Sequence, residues 1–87
     1  MPYVRMPGAK PREYVEVTIY DDGSATISIF GTPEDPAPIE HLPAENALGL
    51  GRHMAQAHGF PLYVSATPEQ WNRDWGNLTD SFVERHR

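Results

Sequence analysis

Two stretches of strict alternation, separated by a break of two acids and a glycine, constrain this chain more than any other feature. From Tyr14 to Tyr20 the apolar Val15, Val17 and Ile19 alternate with Glu16 and Thr18, and Ala25, Ile27 and Ile29 then alternate with Thr26 and Ser28. A period of two is the pattern of a half-buried strand. Asp21-Asp22-Gly23 lies between, so the two runs predict a hairpin whose register follows from loop length. A two-residue loop would set Val17 against Ser28 and mix apolar with polar side chains on each face. A three-residue loop instead pairs Val15 with Ile29, Val17 with Ile27 and Ile19 with Ala25. Glycine at its third position suits a type I turn followed by a G1 bulge. The other face then carries Tyr14 with Phe30, Glu16 with Ser28, Thr18 with Thr26 and Tyr20 with Ser24, which is more aromatic than a plain solvent face.

Beyond the hairpin, four prolines and three acids between Gly31 and Pro43 predict a loop crossing the domain. Pro43 suits the first turn of a helix running to about His58, with Gly59 as its terminator and Pro61 beyond. Ala47, Leu50, Met54 and Ala57 or His58 form the expected inner stripe, with Leu48 and Ala55 at its margin. Gly49 and Gly51 each cost about 1 kcal/mol of helix propensity, so close approach of helix to sheet is expected there. Leu62, Val64 and Ala66 predict a third strand. A right-handed crossover would set it beside the first strand and parallel to the second. Thr67, Pro68 and Gln70 look like the start of a short helix carrying Trp71 and Trp75 and ending at Gly76. Residues 81–84 fit a helical turn or an edge strand equally.

The expected fold is therefore α+β: a ββαβ three-stranded sheet in order 2-1-3, packed on one helix, with a short C-terminal helix. At 87 residues this is one small domain, spanning 13–87, after a flexible basic N-terminal arm over 1–12. Charge follows the same division. Arg5, Lys10 and Arg12 precede any acid, eight acids and no Lys or Arg lie between Glu13 and Gly51, and the remainder is balanced. Three cations beside that acidic segment supply little phosphate affinity, which argues against nucleic acid; a regulator using the basic arm is the weakest functional reading.

Several chemistries are disfavoured. With no cysteine there is no thiolate site or disulfide. Gly49-Leu50-Gly51-Arg52-His53-Met54 starts like a dinucleotide fingerprint, but Met54 stands where the third glycine belongs, and the run sits inside a helical pattern. His53 and His58 are five apart and diverge by about 140° on a helix, so they cannot chelate one ion from one face. No cofactor, metal site or catalytic set is expected. No apolar run is long enough to span a bilayer and no signal-peptide core is visible, so a cytoplasmic protein without a membrane partner is expected.

The remaining signals favour a non-enzymatic interaction module: an adaptor, an inhibitor or a homo-oligomer building block. Tyr14, Tyr20, Phe30, Trp71 and Trp75 are the candidate partner-binding residues, although two tryptophans in a domain this small also suit its core. Glu34, Asp35 and Glu40 are candidate docking points for a basic surface. The alternative is a small enzyme or enzyme subunit using histidine and carboxylate chemistry, with His53 or His58 as base.

Overall fold

The computed structural model describes residues 2–5, 12–33, 37–67 and 69–80. In chain order the elements are β1 (Pro2–Arg5), β2 (Tyr14–Ile19), β3 (Ser24–Phe30), β4 (Ile39–Pro43), α1 (Ala44–His58), β5 (Leu62–Ser65), a 3-10 turn (Arg73–Trp75) and β6 (Asn77–Asp80). They build a mixed sheet of α+β type. Five strands run β1-β5-β2-β3-β4, and β6 continues it beyond β1. β3 is antiparallel to both its neighbours, while β5 is parallel to β2 and β1, and β1 to β6.

The expected three-stranded sheet is thus too small. β3, β2 and β5 form its middle, and three short strands extend it on both sides. The direction of the third predicted strand is also corrected: β5 runs parallel to β2, not to β3. The cause is β4, in a segment read as loop. It turns the chain once more before α1, so the parallel crossover starts from β4 and passes over β3 and β2. β4 hides because its alternation is broken. Ala25 pairs with Leu42 and Ile27 with Ile39, leaving Glu40 and His41 together opposite Thr26 in a bulge. His41 takes φ 63°, a left-handed conformation that non-glycine residues rarely adopt. At the other side, Pro2–Arg5 belongs to the sheet and not to a flexible arm; residues 6–11 lie outside the described residues.

Six of the seven hairpin pairs expected from the three-residue loop are ladder pairs, from Tyr14 with Phe30 to Ile19 with Ala25, and Tyr20 meets Ser24 only through a turn hydrogen bond. The Gly23 N–H donates to the Tyr20 carbonyl at 3.2 Å and the Tyr20 N–H to the Ser24 carbonyl at 2.9 Å, with Gly23 at φ 86°. Val15, Val17, Ile27 and Val64 are the largest fully buried side chains. Each contributes about 1.5–3 kcal/mol through removal from water. They lie on the face covered by α1, which packs against β2 to β5.

The helix stripe is rotated from expectation. Ala44, Ala47, Leu48, Gly51 and Ala55 are buried, whereas Leu50 is exposed and Met54 only half-buried. Small residues face the sheet because the helix lies close to it: a Cβ on Gly51 would stand 2.8 Å from Val17 Cγ2. Pro43 precedes the helix instead of opening its first turn, and the Ala44 N–H donates to the Gly23 carbonyl at 3.0 Å, tying the helix start to the hairpin turn. At the other end Gly59 is left-handed, with its N–H donating to the Gln56 carbonyl and that of Phe60 to the Ala55 carbonyl, a Schellman termination.

The expected C-terminal helix is reduced to fragments. Thr67 and Gln70 do form the reciprocal capping pair, Thr67 N–H to Gln70 Oε1 at 2.9 Å and Gln70 N–H to Thr67 Oγ1 at 3.3 Å. Regular helix does not follow. Asn72 accepts from the Asp74 N–H and starts the 3-10 turn, which stops at Gly76 with φ 124°. β6 then begins at Asn77, and residues 81–84 lie outside the described residues.

Candidate functional site

Residues paired across neighbouring strands share a face, so the register assigns the side chains of both surfaces. On the helix side, Tyr3 is buried in the core, and Trp71 packs against it edge to face at 5.5 Å. Trp75 meets Trp71 at 5.2 Å, and the Trp71 indole N–H donates to the Gly76 carbonyl at 2.9 Å. Both tryptophans are partly buried against the core. They cover the part of the sheet next to β1, continuing the layer that α1 begins. These two candidates therefore sit on the opposite surface from Tyr14, Tyr20 and Phe30.

The other three share the outer face, away from α1. Tyr14 and Phe30 stack at 4.6 Å, and Tyr14 meets Tyr63 edge-on at 6.1 Å. Tyr63 pairs in register with Glu16 on one side and Val4 on the other. Phe30, Tyr14, Tyr63 and Val4 thus form an apolar band across β3, β2, β5 and β1. Tyr14 is only 5% exposed within it, while Phe30 remains 39% exposed. Tyr63 and Val4 are additions to the expected set. The signal for Tyr63 is its place in the outward phase of the Leu62–Ala66 alternation.

Toward the hairpin turn the same face becomes polar. Thr18 and Thr26 pair across the strands, and beyond them lies an open depression of about 320 Å³ lined by Tyr20, Asp22, Ser24, Thr26, Glu40 and His41. Tyr20 is 46% exposed. Asp22 Oδ1 accepts from the Ser24 hydroxyl at 2.6 Å and the Ser24 N–H at 2.9 Å, and these two bonds hold its carboxyl below the usual aspartate value. His41 Nε2 lies 3.9 Å from Glu40 Oε1, with both side chains largely in solvent. The bulge aims both residues at the depression. Glu40 is therefore the one acidic docking candidate placed by the structure; Glu34 and Asp35 lie outside the described residues.

The histidines proposed as bases do not enter this site. His53 is exposed on α1, and His58, in its last turn, stacks on Phe60 at 5.3 Å. Among the described residues no group of three His, Asp or Glu is arranged to hold a metal ion, and no helix is long and apolar enough to cross a membrane. No family model, no curated protein and no solved structure matches this chain.

Proposed function

We propose that this protein is a non-enzymatic interaction module that docks a protein partner through the outer face of its sheet. The observation that carries the reading is the exposure of Tyr20 and Phe30 on a face that no described helix covers. A sheet normally buries its apolar side against another layer, and aromatic side chains left partly in water at both ends of the second side support a contact surface there. The bulged, charged edge of β4 discourages strand addition there, which favours the face over that edge as the docking element. A cytoplasmic location is part of the same reading.

Light scattering and affinity capture on the wild type and a Tyr20→Ser, Phe30→Ser double variant test it. The double variant is expected to keep its fold but to melt somewhat lower, because Phe30 stacks on Tyr14 and each ring is about half covered, and to lose partners or self-association at temperatures where it remains folded. A wild-type chain that is strictly monomeric and retains nothing, or a double variant that retains everything, refutes the proposal.

The enzyme reading keeps one supporting observation, the meeting of His41 with Glu40 and Asp22 at the depression. Its base would then be His41. The openness of the site to water weighs against it, since general-base chemistry gains from exclusion of solvent. Hydrolysis of p-nitrophenyl esters or phosphates that disappears in His41→Ala would favour this second reading.

A further inference from the structure

The outer face has two chemically distinct ends, and its charge selects between possible occupants. At one end lies the apolar band of Phe30, Tyr14 and Tyr63. At the other, Tyr20, Asp22 and Glu40 surround the depression beside the bulge. Tyr14 and Tyr20 are six residues apart along one extended segment, so the two ends are separated by about 20 Å. None of the outer-face residues of β2, β3, β4 or β5 is Lys or Arg and His41 is the one basic side chain at the depression, whereas Glu16, Asp22 and Glu40 all belong to that side. Two copies meeting face to face would bring together two faces of net negative charge with no Lys or Arg between their strands, which disfavours a symmetric pair.

We infer that the occupant is an extended basic segment of a partner protein, with an Arg or Lys seated at Tyr20, Asp22 and Glu40 and an apolar side chain about six residues away on the Phe30 band. The inference rests on the docking role proposed above and names the chemistry of the partner. The cation is held by carboxylates and by the face of an exposed tyrosine ring, the combination that attracts guanidinium and ammonium groups. Asp22 suits the task because its bonds from Ser24 both fall on Oδ1 and hold the carboxylate in place at the rim of the depression. An extended partner matches the span because six residues of strand cover the same 20 Å.

The test is an NMR titration of the full chain with the synthetic peptide acetyl-Leu-Ser-Gly-Ser-Gly-Ser-Arg-amide, alongside the same peptide ending in Glu. The Arg peptide is expected to shift the resonances of Tyr20, Asp22 and Glu40 together with those of Phe30, and the Glu peptide to shift neither set. Glu40→Gln should weaken binding about two- to five-fold, the size of one exposed cation contact. Glu45→Gln removes an equal charge from the exposed start of α1 and should leave affinity unchanged. Equal losses in the two variants, shifts confined to other surfaces, or no shifts at all overturn the inference. Self-association that the Tyr20→Ser, Phe30→Ser variant abolishes also overturns it, in favour of a second copy. If the Arg peptide fails while that variant still loses a captured protein, the basic occupant is wrong and the docking role stands.

Discussion

Gly49 and Gly51 occupy the same helix two residues apart, and the structure assigns opposite signs to their replacement by alanine. Either change recovers about 1 kcal/mol of helix propensity. At Gly49 a Cβ meets nothing within 4 Å, so Gly49→Ala should stabilise the protein by about that amount. At Gly51 the new methyl would stand 2.8 Å from Val17 Cγ2 and 3.4 Å from Leu62 Cδ1. Val17 is fully buried and β-branched, so it cannot swing aside as a long flexible side chain would. Overpacking of this kind costs about 1–3 kcal/mol, leaving Gly51→Ala destabilised by about 1 kcal/mol net. The two variants should then differ by about 2 kcal/mol, or roughly 10 °C in melting temperature for a chain this size. Calorimetry and urea denaturation measure both. A double-mutant cycle with Val17→Ala adds a direct check, because removing the obstructing methyls should make Gly51→Ala favourable. A Gly51→Ala protein as stable as the wild type, or a cycle with no coupling, would refute the argument that close packing holds this glycine in place.

Other consequences can be measured with equal directness. Gly31 combines φ 95° with a position where a Cβ would stand 2.8 Å from the Arg12 carbonyl oxygen, so Gly31→Ala should cost about 2–4 kcal/mol in a urea melt. Asp22 should titrate below 3.8 in a carbon-detected NMR experiment, and Ser24→Ala should move the midpoint back up by removing the hydroxyl donor. Because its folded value is the lower one, Asp22 favours the folded state above pH 3.8, and that contribution is lost as pH falls through the folded value. Trp71→Phe keeps an aromatic ring against Tyr3 but removes the donor to the Gly76 carbonyl, and thermal denaturation should show a loss of about 1–2 kcal/mol.

The hairpin was legible in the sequence because only one loop length collects Val15, Val17, Ile19 and their partners on one side. Strand β4 was not, since a bulge places Glu40 and His41 together opposite one residue and breaks the alternation on which recognition depends. β1 and β6 are four residues each, too short to display a period, and their strand character comes from neighbours distant in sequence. The inner stripe of α1 is carried by small residues and not by Leu50 and Met54, the larger side chains that a hydrophobicity pattern favours. Side-chain hydrophobicity marks what is apolar, but how near two elements approach decides which apolar residues fit between them, and here Gly51 marks the contact. The outer-face site was half visible. Tyr14, Tyr20 and Phe30 follow from the hairpin register, whereas the contributions of Tyr63, Val4 and His41 require the strand order and the bulge. The tryptophans were ambiguous because an aromatic ring suits core and interface alike, and the packing of Trp71 on Tyr3 and of Trp75 on Trp71 is a tertiary fact.

The placement of β1 also dictates the order in which the chain can be completed. Its pairing partners, Tyr63 and Val64 in β5 and the residues of β6, are made about 60 to 75 residues after it. At about 5–20 residues per second, a ribosome delivers β5 several seconds after β1 has emerged. The hairpin can close locally during that interval, whereas β1 has no sheet to join. A bulky group fused immediately before Pro2 would therefore burden a strand that docks late and on which β6 in turn depends, slowing completion of the sheet while leaving the early hairpin untouched.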